Sequence, residues 1–203
     1  MNPINIAGKK SYPSKIVCIG RNYVEHINEL NNEIPDQAVI FVKPNSAIDT
    51  QLASNNLEPI HYEAEICFVI ERNQIKAVGI GLDLTKRDLQ SILKSKGLPW
   101  ERAKAFDKSA VFSDFVHFSG EVDRLSMQLL INGVLIQFAN YDLMIHKPTQ
   151  IMKEISAFMS FCDGDIIMTG TPKGVGVVLK GDVFIGRIYQ DDTLLIEQQW
   201  QAS

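Results

Sequence analysis

The chain has 203 residues, 45% of them hydrophobic, and a formal net charge of −4. That is enough apolar material for a substantial core within a single domain spanning residues 1–203. The mild acidity and the lack of any Lys/Arg block exclude electrostatic attachment to nucleic acid or anionic lipid, and no stretch approaches the roughly 18 apolar residues of a membrane span. The amino terminus, MNPINIAGKK, lacks the basic-then-apolar pattern of a secretory leader. The expectation is a soluble, cytoplasmic protein that binds a small molecule, not nucleic acid and not a membrane. Cys18, Cys67 and Cys162 are odd in number, far apart and set among apolar neighbours, which predicts core thiols, not a disulfide framework or a zinc cluster.

In chain order, the first strand-like run is KIVCIG (15–20). YVEHINEL (23–30) follows with helical spacing of Tyr23, Val24, Ile27 and Leu30. AVIFVKP (38–44), EICFVI (65–70) and AVGIGLDLT (77–85) read as strands from their β-branched content and the Gly, Pro, Asn and Asp residues that punctuate them. TKRDLQSILKSKG (85–97) repeats Leu89, Ile92 and Leu93 on one helical face. MQLLING (127–133) is a further strand. PTQIMKEISAFMSF (148–161) is the last helical segment, with Ile151, Ile155, Phe158 and Met159 in register, before the strands DIIMTG (165–170) and DVFIGRI (182–188). Many short strands and three short helices, without βαβ alternation, predict a β-rich α+β fold. No repeat, linker or low-complexity segment divides the chain.

The segment HYEAEICFVI (61–70) is acidic at its start and apolar after it. Glu63 and Glu65 are two positions apart, so on a strand they project from one face about 7 Å apart along the chain. Two readings apply: both face solvent from a frayed strand start, or a divalent cation lies between them. The second requires another oxygen ligand, and Asp83 in LDLTKRD (82–88) supplies one at a strand end. Asp83 or Thr85 also suits a helix cap, with Asp88 completing a capping box. Two glutamates and an aspartate without a histidine motif suit Mg²⁺ or Mn²⁺ and suit Zn²⁺ poorly.

His26 and Glu29 are three residues apart on a helix, either as a surface pair or as an imidazole whose basicity a carboxylate raises. Lys104, among Ala103, Ala105 and Phe106, is a snorkelling lysine or a cation aimed at a substrate carboxylate or a developing enolate. TGTPKGVG (169–176) lacks the spacing of a phosphate loop. It is either a plain glycine-rich turn or one whose N–H groups and threonine hydroxyls meet a small carboxylate.

Together, GRNYVEHINEL, FVKPNSAI, HYEAEICFVI, GLDLTKRDLQ, KGLPWERAKAFD and DGDIIMTGTPKGVG resemble the fumarylacetoacetate hydrolase family. The likeness is to its short single-domain branch of acylpyruvate hydrolases and oxaloacetate decarboxylases, and it covers nearly the whole chain. The resemblance implies a mixed β-sheet roll that assembles as a homodimer, with Mg²⁺ or Mn²⁺ held by Glu63, Glu65 and Asp83. It implies catalytic roles for His26, Glu29 and Lys104, a mobile lid over about 20–32, and substrate contacts from Arg21, Asn22, Tyr23, Lys43, Gln90 and Thr171. The implied reaction is hydrolysis of the C–C bond of an acylpyruvate to pyruvate and a carboxylic acid, with oxaloacetate decarboxylation through the same enolate. A 2-oxo acid isomerase and a non-catalytic small-acid-binding protein remain the alternatives. YDLMIHKP (141–148) departs from the family's apolar segment at His146 and Lys147, and SDFVHFSGEVD (113–123) is compressed.

Overall fold

A computed structural model of the chain describes residues 1–30 and 37–203, so the last residues of the expected lid, 31 and 32, lie outside the described residues. The chain opens with a small hairpin, β1 (Ile4–Ile6) and β2 (Lys9–Ser11), then β3 (Lys15–Gly20), helix α1 (Val24–Glu29) and β4 (Val39–Pro44). Next come β5 (Ile48–Asp49), β6 (His61–Tyr62), β7 (Ala64–Glu71) and β8 (Gln74–Asp83), followed by α2 (Arg87–Ser95) and α3 (Glu101–Lys104). Strands β9 (Ala110–Phe112), β10 (Val116–His117), β11 (Leu125–Ile131) and β12 (Val134–Asn140) lead into α4 (Pro148–Ser156). The chain finishes through β13 (Ile166–Met168), β14 (Gly176–Val177), β15 (Val183–Gln190) and β16 (Thr193–Gln201).

The larger sheet runs β4-β3-β13-β7-β8-β9-β5, with β10 beside β8, and the smaller one runs β12-β11-β15-β16. The large sheet is mixed, because β13 pairs parallel with β3 and antiparallel with β7. Both faces of β7 and β8 are covered. Ile66, Phe68, Ile70, Val78, Ile80 and Leu82 pack with Met127, Leu129, Phe184, Ile188 and Trp200 of the smaller sheet. Cys67 and Val69 pack instead with Ile16, Cys18, Phe112, Phe115 and Met168. Burial on both faces explains why EICFVI reads as a continuous apolar run and not as an alternation. No helix of the described residues is long and apolar enough to cross a membrane.

Two hairpins show why some expected boundaries move. Asn132 and Gly133, read as the end of a strand, both have positive φ (51° and 82°) and form the two-residue turn between β11 and β12. Positive φ at both central residues is the type I′ arrangement that Asn-Gly favours. Arg72 and Asn73 (φ 52° and 57°) do the same between β7 and β8. The helix-cap reading of the 83–88 segment is overturned: α2 begins after Lys86 with no side-chain cap, and Thr85 Oγ1 instead donates to the Asp83 carbonyl at 3.2 Å. The core-thiol expectation holds for Cys18 and Cys67 but not for Cys162, which is exposed. The four-residue α3 and the strands β12 and β16 are additions to the sequence reading.

Asp165, fully buried ahead of β13, ties this strand to the start of β3. Its carboxylate accepts from Ser14 N (3.0 Å), Ser14 Oγ (2.7 Å), Lys15 N (3.1 Å) and Cys162 N (2.8 Å), and pairs with Lys15 Nζ at 2.5 Å. Burial pushes its pKa up, but the Lys15 ammonium, the Ser14 hydroxyl and the backbone N–H groups outweigh burial and hold it below the usual carboxylate value. A carboxyl more acidic in the folded than in the unfolded chain stabilises fully above its unfolded pKa of about 3.9 and loses that contribution as pH falls through the folded value. Asp165→Ala is therefore expected to lower unfolding free energy by about 3 kcal/mol at pH 7 in urea titrations. The gap from the native chain should close in acid, and a gap independent of pH between 7 and 3 would contradict the assignment.

Candidate active site

The β7–β8 hairpin places the acidic residues. Its register sets Ala64 opposite Leu82 and Glu65 opposite Gly81, and Asp83 N continues the ladder by donating to the Glu63 carbonyl at 2.8 Å. Glu63 is thus directly across from Asp83, and cross-strand partners share a face. Glu65, two residues along, shares it too. All three carboxylates are buried, at 5%, 1% and 1% exposure, with one oxygen from each within 4.8 Å of the others. The two-position spacing acts here at a strand break, since Glu63 lies between β6 and β7.

Three cations close on this cluster. Lys104, carried in by α3, is buried and spends its three donors on Glu63 Oε2 (2.8 Å), Asp83 Oδ2 (2.8 Å) and Thr85 Oγ1 (2.7 Å). Burial lowers its pKa, but the charges of Asp83 and Glu63 outweigh burial and raise it, which favours the ammonium form. Lys43 is wholly buried; its Nζ lies 2.8 Å from Asp83 Oδ1 and donates to the carbonyls of Lys104, Ser109 (2.9 Å) and Leu84 (3.3 Å). Arg87 pairs with Glu63 Oε1 and donates to Gln90 Oε1 at 2.8 Å.

The three carboxylates differ in consequence. Burial opposes the charge on Glu63, but Lys104 and Arg87 overcome it and hold that carboxyl well below its usual range. Glu65 accepts a hydrogen bond from Gly170 N (2.7 Å) and makes no ion pair among the described residues. Burial first, then Asp83 and Glu63, push its pKa well up. A compact all-oxygen set containing one carboxylate without a cationic partner fits a hard divalent ion, as Mg²⁺ and Mn²⁺ are.

A narrow cleft opens beside Glu63, and Arg21, His26, Glu63, Arg87, Gln90, Lys94, Lys104 and Thr171 line it together with Phe41 and Trp100. Helix α1 closes one side. His26 Nδ1 is 3.1 Å from Glu29 Oε2, which fixes the proton on Nδ1 and leaves Nε2 as the basic nitrogen. Glu29 Oε1 accepts from Gly174 N (3.0 Å) and Glu25 pairs with Lys173 (2.9 Å), so the helix is docked on the 173–174 turn. Arg21, with φ of 57°, turns the chain from β3 toward this helix.

Of the residues expected to contact substrate, Arg21, Gln90 and Thr171 line the cleft, and Asn22, Tyr23 and Lys43 do not. Asn22 is a buried strut: its amide donates to the carbonyls of Thr169 (2.7 Å) and His146 (3.0 Å) and accepts from His146 N (2.6 Å). Tyr23 is buried and bridges to Met144. Lys43 lies behind Asp83 as its counter-charge. The sequence reading passed over Arg87 and Lys94, which share with Gln90 one face of α2 at i, i+3 and i+7; that periodicity was the available signal. It also passed over Gln137, whose contacts across the sheets no local pattern foretells.

The sequence profile of the family described as fumarylacetoacetate (FAA) hydrolase C-terminal matches residues 15–196. The chain belongs to this family. It is 36% identical over 190 residues to the oxaloacetate tautomerase YcgM of Escherichia coli (strain K12), covering 84% of this chain and 87% of that one. It is 35% identical to a mitochondrial oxaloacetate decarboxylase of Dictyostelium discoideum, over 83% of this chain and 86% of that one. The crystal structure of fumarylpyruvate hydrolase from Pseudomonas aeruginosa, in complex with Mn²⁺ and pyruvate, superimposes with a TM-score of 0.90 at 28% identity, covering 99% and 95% of the two chains.

Glu65→Gln removes the charge of the carboxylate that lacks a cationic partner and keeps its shape. Mg²⁺ or Mn²⁺ affinity by calorimetry is expected to fall by about tenfold or more, with little loss of thermal stability. An unchanged affinity would return these acids to a purely structural role.

Proposed function

We propose that this chain is a Mg²⁺- or Mn²⁺-dependent enzyme that forms and discharges the enol of a small 2-oxo acid bearing a second carbonyl, with oxaloacetate as the best-fitting substrate. The observation that carries the reading is the cleft itself, where His26, four cationic side chains (Arg21, Arg87, Lys94 and Lys104) and Glu63 of the three-carboxylate cluster line one volume. A dianionic acid matches that wall of positive charge. The named oxaloacetate-acting relatives support the same substrate class.

Glu63, Glu65 and Asp83 would hold a divalent cation, which would supply positive charge to a developing enolate. His26 Nε2 removes the proton from the carbon between the two carbonyls, and Glu29 stabilises the resulting imidazolium through Nδ1. Returning the proton to oxygen gives the enol, and returning it to carbon regenerates the keto acid. Lys104 keeps its proton and acts by charge, which its raised pKa favours. Helix α1, docked through Glu25 and Glu29, limits the access of water. The fumarylpyruvate hydrolase likeness supports a second reading, acylpyruvate hydrolysis, in which the His26–Glu29 pair activates a water instead.

With Mg²⁺, the purified chain is expected to accelerate keto–enol exchange of oxaloacetate, followed by enol absorbance, and to lose that activity in a chelator. His26→Ala should slow exchange by about a hundredfold or more. It should slow any decarboxylation less, because loss of CO₂ needs no base. Turnover of acetylpyruvate or fumarylpyruvate without oxaloacetate exchange would favour hydrolysis, and inertness toward all three would refute the enzymatic reading.

A further inference from the structure

Gln137 lies on β12 of the smaller sheet, 1% exposed, and reaches across the interface to Ala64 and Thr171. Its Oε1 accepts from Ala64 N at 3.0 Å, the peptide N–H between Glu63 and Glu65. Its Nε2 lies 2.9 Å from Thr171 Oγ1, 3.0 Å from the Pro172 carbonyl and 3.4 Å from the Lys173 carbonyl. The orientation of the amide is set by these neighbours. Reversing it would turn the oxygen toward two carbonyls and the NH₂ toward an N–H.

This arrangement also fixes the hydroxyl of Thr171. Thr171 Oγ1 is 2.9 Å from the Ala64 carbonyl, which can only accept, and 2.9 Å from Gln137 Nε2, which can only donate. A hydroxyl has one proton. It goes to the Ala64 carbonyl, one lone pair takes the Gln137 proton, and the capacity that remains is a single lone pair. Thr171 lines the cleft, so any hydrogen bond that its hydroxyl makes there is one that it accepts.

We infer that Gln137 is a positioning residue that holds Thr171 as an acceptor, so that the site selects a ligand oxygen carrying a proton, the hydroxyl of an enol or of a 2-hydroxy acid, over a carboxylate oxygen. The inference deepens the enol-forming reading and rests on it for the identity of that hydroxyl. It also gives Gln137 a part in ordering the turn on which α1 docks, since the Pro172 carbonyl that takes its second amide proton lies shortly before the Gly174 N–H that meets Glu29.

The test is ligand binding, independent of turnover. Glycolate, which carries a hydroxyl proton, and oxalate, which at neutral pH carries none, are titrated calorimetrically into the Mg²⁺-loaded chain and its variants. Thr171→Val and Gln137→Met are each expected to weaken glycolate by about tenfold and to leave oxalate within about twofold, while Thr171→Ser keeps the native preference. Equal weakening of both ligands, or a greater loss of oxalate, overturns the inference. Should Gln137→Met not fold, neutron diffraction from a deuterium-exchanged crystal of the native chain decides its part. A deuteron between Thr171 Oγ1 and the Ala64 carbonyl, with a Gln137 deuteron aimed at Oγ1, supports the inference, and a Thr171 deuteron pointing into the cleft overturns it. Failure of the native chain to bind either ligand counts against the proposed function, and the deuteron positions still decide this inference.

Discussion

Three buried carboxylates with oxygens within 4.8 Å of one another are the constraint around which this molecule is built. Two unit charges 4 Å apart repel by about 1 kcal/mol in water and about 4 kcal/mol at the effective dielectric of a protein site. The hairpin register that brings the acids together cannot by itself keep them there. Each compensating group comes from a different part of the chain: Lys43 from β4, Arg87 from α2, Lys104 from α3, and the Gly170 N–H from the turn after β13. Holding the acids and folding the large sheet are therefore one problem.

The two packing faces of β7 and β8 divide the work. On one face the acids stand beside a small core of Cys18, Cys67, Phe112 and Phe115. The other face carries the main core and the smaller sheet, and through Gln137 that sheet holds the Ala64 peptide from behind. The same side chain grips the 171–173 turn, whose continuation docks Glu29, which in turn orients His26. A chain of direct contacts thus links the smaller sheet, His26 and the carboxylates. It holds His26 at the cleft even though α1 has only six residues, too short to be stable alone.

Much of this was legible in the sequence, and what escaped had a physical reason. Strands such as KIVCIG and DVFIGRI were readable from their β-branched content and the turn residues that bound them. Spacing alone left Glu63, Glu65 and Asp83 open between solvent-facing, capping and cation-binding readings, and the family resemblance joined them as a set. Asn22, Tyr23 and Lys43 sit in the right motifs, yet the structure turns them away from the cleft, because motif membership does not say which way a side chain points. Lys43 illustrates this best: a lysine wholly enclosed by one carboxylate and three carbonyls is a counter-charge, and only tertiary placement distinguishes it from Lys104. Gln137 was illegible for the same reason, since its partners are 34 to 73 residues away in sequence.

The unequal treatment of the two glutamates follows from where the cations can come from. Glu63 is at the mouth of the hairpin, within reach of Arg87 and Lys104. Glu65 is one step deeper, where the neighbours are Gly81, Cys67 and the 169–170 backbone. A backbone N–H meets the Glu65 carboxylate there. That N–H belongs to Gly170, with φ of 94°, where an added Cβ would lie 2.8 Å from Asn22 Cβ and 3.0 Å from the Ile19 carbonyl. Glycine is needed for both the left-handed turn and the close approach. The turn that steadies Glu65 is also the one that delivers Thr171 to the cleft. The least neutralised carboxylate and a threonine that lines the cleft are thus fixed by one backbone bend, and a substitution at Gly170 moves both together.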